Sequence, residues 1–380
     1  MRLVADENIP FVAQAFVGFG TVEAVPARQL TPDLVRDADV LLVRSVTPVN
    51  AALLDGSRVR FVGTATIGTD HLDLPYLAGR GIAVASAPGS NAESVVEWVI
   101  AALVMISSRR EGVDGKRVRR EPLAGKTVGV VGVGNVGGRL APRLEALGMT
   151  VLRCDPPRAE AEGPAGFVAL DEVLETSDIV TLHTPLVKDG PHPTHHLIGD
   201  DELARMRPGA WLVNASRGAV ANNRALVESL RSTHTGAALL DVFEGEPVPD
   251  ADLMRLATLV TPHIAGYSVD GKLNGARMLY DALSARSGAD PGYDWADAYA
   301  LAPEDRRALG EATTVREAVA ALYDIEADGA RLRATLDLAE ADRADAFARL
   351  RKTYPRRRAW THYRDALPPD IAAALVPTKA

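Results

Sequence analysis

Val128-Gly-Val-Val-Gly-Val-Gly-Asn-Val-Gly137 reads as a buried strand running into a glycine turn, and the fold follows from it. The turn carries Gly132-x-Gly134-x-x-Gly137, and a helix with Leu140, Leu144 and Leu147 on one face follows, closing at Gly148. A second strand, Thr150-Val-Leu-Arg-Cys154, ends in Asp155. Each part suits a dinucleotide. Gly132 permits the tight turn, Gly134 lets backbone approach a pyrophosphate, and Gly137 lets helix and strand pack closely. The helix N-terminus, with Asn135 and Val136 leading into it, offers free N–H groups to phosphate. Asp155 is placed to accept hydrogen bonds from the adenosine ribose. A lone glycine pattern is weak; the strand before, the helix after and the acid closing the next strand make this one specific. A carboxylate there repels a 2′-phosphate and favours NAD, although Arg158 is the kind of group that accepts one.

Composition sets the bounds. A chain of 380 residues is too long for one ordinary core, so two or three domains are expected. A net charge of −8 argues against general nucleic-acid affinity. Cys154, the one cysteine, cannot form an internal disulfide and fits a reducing cytoplasm; it reads as a buried strand residue rather than a nucleophile. Met1-Arg-Leu-Val-Ala-Asp-Glu7 turns acidic at once, unlike a secretory signal. The apolar run near Trp98-Val-Ile-Ala-Ala-Leu-Val-Met-Ile106 is too short for a membrane span, and Glu93 and Glu97 interrupt it. It reads as a buried core helix capped by Asn91.

Before the glycine turn, strand candidates at 2–5, 40–44, 59–63 and 82–85 alternate with helical segments, which implies parallel construction. Further strands at 179–183, 211–214 and 237–241 complete a second sheet. The expected architecture is two doubly wound parallel-sheet α/β domains with a small C-terminal α+β domain. Residues 1–100 with a helix at 266–287 form the substrate domain, 101–265 the NAD domain, and 288–380 the C-terminal unit. A cleft between the first two is expected to close on substrate. The last unit is thin in apolar residues, so docking on a neighbour or a second subunit would supply its burial.

Three strand tips carry chemistry: Val213-Asn-Ala-Ser-Arg-Gly218, Leu240-Asp-Val-Phe-Glu-Gly-Glu-Pro247 and Thr261-Pro-His-Ile-Ala-Gly266. In a parallel sheet such tips converge on the crevice at the carboxyl ends of the strands. Interconverting a hydroxyl and a carbonyl needs a base for the hydroxyl proton, and an imidazole suits neutral pH, which assigns His263. A carboxylate on the far ring nitrogen fixes the tautomer and stabilises the charged ring, which assigns Glu246. A guanidinium grips a substrate carboxylate in bidentate fashion, which assigns Arg217. Each residue alone is more often a surface or capping group. Three at strand ends are hard to explain structurally.

These runs, with Asp178-Ile-Val-Thr-Leu-His-Thr-Pro-Leu186, resemble the D-isomer-specific 2-hydroxyacid dehydrogenases, whose domains are Rossmann-like and flavodoxin-like. A closer likeness, to members acting on a phosphorylated four-carbon acid, rests on Asp6-Glu-Asn-Ile-Pro10, Val43-Arg-Ser-Val-Thr47, Phe61-Val-Gly-Thr-Ala-Thr-Ile-Gly-Thr-Asp70 and Cys154-Asp-Pro-Pro-Arg158. It continues through Pro185-Leu-Val-Lys-Asp-Gly-Pro191, His263-Ile-Ala-Gly-Tyr267 and Leu350-Arg-Lys-Thr-Tyr354, covering nearly the whole chain. The resemblance implies Arg217, Glu246 and His263 as the catalytic set, and Ser45, Thr66 and Tyr267 as substrate contacts. It implies Asp155, Thr184, Ala215, Asp241 and Gly266 as NAD contacts beside the glycine turn. The implied reaction is oxidation of 4-phospho-D-erythronate by NAD in vitamin B6 biosynthesis, by a cytoplasmic homodimer joined through its C-terminal domain. The rivals are another 2-hydroxyacid dehydrogenase, of phosphoglycerate or glyoxylate type, and a non-enzymatic NAD-sensing interaction module.

Several residues keep two readings. Arg44 stands beside Ser45 and neutralises a phosphate or makes a strand-end salt bridge. Arg356-Arg-Arg358 reaches a neighbouring subunit's phosphate pocket or forms a solvated charged surface, the second being favoured. His192, His195 and His196 lie on a Pro- and Gly-rich loop without carboxylate partners, so no metal is expected. Pro142 should bend the helix after the glycine turn. Ala221-Asn-Asn223 stands where members of the family usually carry an acid.

Overall fold

The computed structural model describes residues 1–108, 122–306, 309 and 311–376. The chain divides into two compact units, Met1–Glu93 with Tyr267–Arg306, and Ser94–Gly266 with Arg307–Ala380.

The first unit is built on five parallel strands: β1 (Arg2–Asp6), β2 (Thr21–Val25), β3 (Val40–Val43), β4 (Phe61–Thr64) and β5 (Ala83–Ala85), in the order β2-β1-β3-β4-β5. Val40-Leu-Leu-Val43 is buried at every position, as a parallel strand covered on both faces must be. One face packs Leu3, Ala5, Leu42 and Phe61 beneath the helix Val269–Ser287 through Leu273, Ala276, Leu279 and Leu283. A Cβ at Gly63 would come within 2.9 Å of Leu42 and 3.2 Å of Leu279, so this glycine sets how closely the helix rides on β4. Residues 288–306, expected in a third unit, belong to this one. Trp295 lies edge-on to Tyr280 at 5.9 Å and joins the same core as Phe16 and Phe19. The edge strand β2 escaped the sequence reading because its residues are exposed or only half-buried, leaving no apolar run to see.

The second unit has six parallel strands: β6 (Thr127–Val131), β7 (Thr150–Cys154), β8 (Ile179–Leu182), β9 (Trp211–Asn214), β10 (Ala237–Leu240) and β11 (Leu259–Val260). Their order is β11-β10-β9-β8-β6-β7, so the winding reverses between β6 and β8. In open α/β sheets that reversal opens a crevice outside the carboxyl ends of the strands. In the described part of 307–376 the regular elements are all helices, where an α+β unit was expected. Its Leu332 and Phe347 enter the core formed by Leu182, Leu240 and Val260. Arg333 Nη2 donates to Ala257 O at 2.6 Å.

Local expectations fared unevenly. The helix Ala92–Ser107 starts directly after Asn91, but Asn91 Oδ1 is buried without a hydrogen bond and does not cap it. The helix Gly137–Ala146 runs on through Pro142. Cys154 is buried at 1 % exposure, and burial pushes its thiol up to about 11, which suits no nucleophile. Among the described residues no helix is long and apolar enough to cross a membrane.

Candidate active site

The glycine turn fits a dinucleotide on its own geometry. Gly132 has φ +86°, and a Cβ there would lie 2.8 Å from the His183 carbonyl. A Cβ on Gly137 would lie 2.1 Å from Gly132 O, so the turn closes only with hydrogen at that position. Gly134 differs: nothing lies within 4 Å of where its Cβ would be. Its bare backbone faces an open groove of about 490 Å³, lined with Asn135, Gly138, Arg139, Arg158 and Glu162. The helix Gly137–Ala146 takes no side-chain cap from Val136; Gly138 N and Arg139 N turn back onto Gly134 O and Val136 O at 2.9 and 3.0 Å, so an anion would meet the positive end of the helix at the turn itself. Thr184 Oγ1, just beyond β8, is buried without a partner among the described residues.

Asp155 Oδ2 accepts from Val133 N at 2.8 Å and Oδ1 from Arg158 N at 3.2 Å, so the acid is fixed at the rim of the turn. Arg158 is engaged: Nε and Nη2 pair with both oxygens of Glu162 at 2.7 Å, and Nη1 donates to Val133 O at 2.6 Å. The doubt it raised over a 2′-phosphate weakens accordingly, because that phosphate would have to displace a bidentate carboxylate.

The three strand tips are folded by their own side chains. At the end of β9, Asn214 Oδ1 accepts from Ser216 N at 3.0 Å and Ser216 Oγ at 2.8 Å, while Nδ2 donates to Arg217 O at 3.0 Å. This turn carries Ala215 and presents Arg217, whose Nη1 donates to Ser216 O at 2.9 Å. A Cβ on Gly218 would lie 2.0 Å from the Phe243 carbonyl, so the tips of β9 and β10 touch backbone to backbone. Beyond β10, Phe243 N donates to Glu246 Oε1 at 2.9 Å, and Glu246 Oε2 meets His263 Nδ1 at 2.7 Å. A carboxylate can only accept, so Nδ1 carries the proton of this bond, and in the neutral ring the lone pair is on Nε2.

His263 stands at φ +55°, a left-handed backbone for a residue with a side chain, at a cost of about 1–3 kcal/mol. Asp241 holds the loop there. Buried at 1 % exposure, it accepts from Thr261 Oγ1 at 2.5 Å, Ile264 N at 2.8 Å and Ala265 N at 2.8 Å. Burial pushes its carboxyl up to about 6, against the opposing pull of His263 and these donors. The structure thus occupies Asp241 with the chain itself. The other imidazole beside the crevice, His183, is pushed down to about 3 by burial and bonds Thr181 Oγ1 at 2.9 Å, so it stays neutral and is no rival base.

The histidine loop corrects an expectation. It does have a carboxylate partner: His196 Nε2 meets Glu244 Oε1 at 2.6 Å, and His195 stacks on His196 at 4.0 Å. Ligand atoms of His195, His196 and Glu244 lie within 4.8 Å of one another. Glu244 Oε2 also accepts from Asn223 N at 2.8 Å, which ties the Ala221-Asn-Asn223 stretch to the same acid. Both Glu244 oxygens therefore serve the chain. A second correction concerns the arginine run: Arg356 is exposed as a solvated surface requires, but Arg357 and Arg358 are buried at 6 % and 3 % exposure.

In the first unit, Arg44 and Ser45 follow β3 at the reversal between β1 and β3, and Thr66 follows β4. Thr66 Oγ1 lies 2.7 Å from Thr64 Oγ1 and 3.2 Å from Gly68 O. Tyr267 precedes the helix Val269–Ser287, and Lys272 Nζ sits 5.3 Å from its ring centroid. Partial burial and the Arg44 charge hold the Lys272 ammonium below its ordinary range. No acid pairs with Arg44 or Lys272 among the described residues, so the strand-end salt bridge considered for Arg44 is absent. Lys272 was missed in the sequence. No motif marks a lysine whose partner lies far along the chain.

Comparison with known proteins gives the same picture. Residues 102–265 match the D-isomer specific 2-hydroxyacid dehydrogenase, NAD binding domain, and 305–373 match a domain of unknown function, DUF3410. An erythronate-4-phosphate dehydrogenase of Salinibacter ruber is 50% identical over 371 residues, covering 94% of this chain and 92% of its own. One from Azotobacter vinelandii is 50% identical over 366 residues, covering 94% and 93%. Among solved structures, D-lactate dehydrogenase from Aquifex aeolicus, complexed with NAD and lactic acid, aligns with TM-score 0.61 at 26% identity, over 76% of this chain and 96% of that one. The TT0316 protein of Thermus thermophilus aligns with TM-score 0.64 at 28% identity, over 77% and 99%.

Proposed function

From a chain that belongs to the D-isomer specific 2-hydroxyacid dehydrogenases, among their erythronate-4-phosphate members, we propose NAD-dependent oxidation of 4-phospho-D-erythronate to (R)-3-hydroxy-2-oxo-4-phosphobutanoate, a step of pyridoxal phosphate synthesis. The observation that carries the chemistry is the Glu246–His263 pair at 2.7 Å, on a loop held in a strained backbone.

NAD, when bound, accepts the hydride from C2. We assign its binding to Gly132, Gly134, Asn135, Val136 and Gly137, with Asp155 at the adenosine end and Thr184, Ala215 and Gly266 along the strand tips. His263 Nε2 takes the hydroxyl proton as the carbonyl forms. Glu246 holds the proton of the neutral ring on Nδ1, so that Nε2 is the accepting nitrogen, and stabilises the imidazolium afterwards. Arg217 grips the substrate carboxylate and draws density from the forming carbonyl. Asp241 acts on the protein side, by holding the His263 loop.

Specificity for a phosphorylated acid is supported by Arg44 and Lys272, two cations without an acid between them. An anion of charge near −2 would relieve their repulsion. Ser45, Thr66 and Tyr267 would add hydroxyl donors. A cytoplasmic homodimer joined through the C-terminal helices belongs to the same proposal, with sedimentation equilibrium as its test.

The deciding experiment is NADH formation with 4-phosphoerythronate against phosphoglycerate, glycerate and lactate. The expected result is a clear preference for the first. Turnover of phosphoglycerate alone would move the chain to another branch of the family, and no turnover of any would favour a binding module. Arg44→Ala and Lys272→Ala should each raise KM for the phosphorylated acid by about 10- to 100-fold, the worth of a charge-assisted hydrogen bond. KM for unphosphorylated erythronate should not move.

A further inference from the structure

The C-terminal segment matches a domain of unknown function, and one of its side chains ends on the catalytic loop. Arg357 Nη2 donates to Ala265 O at 2.7 Å and lies 3.4 Å from Ser94 O. Ala265 is two residues beyond His263. Its N–H is already held by Asp241 Oδ2 at 2.8 Å, so this one residue is gripped through both of its flanking peptides by charged groups.

The guanidinium has little freedom. Its carbon sits 4.3 Å from the Tyr323 ring centroid, in cation–π range. The Tyr323 and Tyr354 hydroxyls both bond Asp328 Oδ2, at 3.0 and 2.9 Å, and Asp328 is 3 % exposed. Trp360 N donates to Glu97 Oε1 at 2.6 Å, which brings a carboxylate to the same interior, and the Glu97 charge acts on Arg357. Tyr323, Asp328, Tyr354 and Arg357 all come from the C-terminal segment. The segment builds a platform, and the platform aims a donor at Ala265.

A left-handed backbone at a residue with a side chain persists only where its surroundings over-determine it. Asp241 supplies one constraint on the His263 loop from β10. We propose that Arg357 supplies the other, and is a positioning residue that keeps the His263 imidazole on Glu246 and in register for proton transfer. The C-terminal segment thereby completes the active loop within its own chain. This inference rests on His263 being the base. Lysine would keep the charge but lose the planar fork and the stacking on Tyr323.

The test uses the full-length enzyme. Removing Arg357 alone also changes the charge balance around the buried Glu97, so Glu97→Gln, which keeps an acceptor for Trp360 N, serves as the reference. On that background Arg357→Met should lower kcat by about 10- to 100-fold, as a base displaced by a fraction of its reach would. KM for NAD and for the phosphorylated acid should stay within about twofold, since binding is not touched. The kinetic isotope effect with substrate deuterated at C2 should rise, because chemistry becomes the slow step. Arg357→Lys should fall between the two. A folded Arg357→Met protein with unchanged kcat and isotope effect overturns the proposal. So does a kcat that falls only as native protein is lost, with the isotope effect constant. A second readout needs no substrate: the Nδ1–H proton resonance of His263, assigned with His263→Gln, should shift or broaden in the Met variant. An unaltered resonance also overturns the proposal. Failure of the wild type on every acid would count against the proposed reaction instead, leaving this resonance to decide the role of Arg357.

Discussion

Three carboxylates lie within six residues of one another after β10, and the chain gives each a different task. Asp241 holds the amides of Ile264 and Ala265, Glu244 holds His196 and the Asn223 amide, and Glu246 holds His263. His263→Ala should therefore lower kcat by about 10²- to 10⁴-fold, the usual worth of a placed base, with KM little changed. Full-rate turnover in that variant would end the acid–base assignment. Asp241 makes a prediction of a different kind. Its folded pKa, pushed up to about 6 from 3.8, means the folded chain holds that proton more tightly than the unfolded one. Its contribution to stability is then fully present below about pH 4 and is lost as pH rises through about 6. In Asp241→Asn this loss disappears. The variant's stability deficit, measured by denaturant unfolding, should be larger near pH 4.5 than near pH 7.5. A deficit that grows with pH would contradict the burial argument.

At the level of the element, the glycines of one turn separate folding from binding. Gly137→Ala puts a methyl against Gly132 O and should cost about 1–3 kcal/mol of stability, read as a lowered melting temperature. Gly134→Ala meets nothing in the protein, so melting should not move while KM for NAD rises. Equal effects on both quantities in both variants would mean the turn is not the cofactor cradle. The elements most legible in the sequence were those with strong local signals. β7 and β9 were read to the residue, and β1, β3, β5, β8 and β10 to within one residue at an end; β3, β8, β9 and β10 are short runs buried at every position. β2 was not seen because it is an exposed edge, nor β11, whose two residues are too few to form a pattern. The Asn91 cap failed for a related reason: residue type permits a cap, but the helix start turned the side chain elsewhere.

At the level of the whole molecule, the tail is part of the second unit rather than an appendage. Leu332 and Phe347 are buried at 0 % and 2 % exposure in its core, each contributing about 1.5–3 kcal/mol. Arg333 adds bonds to the carbonyls of Ala257 and Thr258. A chain ending at residue 306 should therefore lose NAD binding and native circular dichroism in the second unit. A truncated protein that still binds NAD with unchanged affinity would show that the tail is dispensable to that fold.

Residue order alone determined the parallel α/β plan, the glycine turn and the strand tips that bear Arg217, Glu246 and His263, because these depend on patterns a few residues long. Tertiary structure alone decided which acid meets which base, that Arg357 is buried on Ala265, and that Arg44 shares its surroundings with Lys272. Such pairings join side chains far apart in the chain. Local spacing fixes only which strand tip a group stands on, whereas packing fixes what it touches.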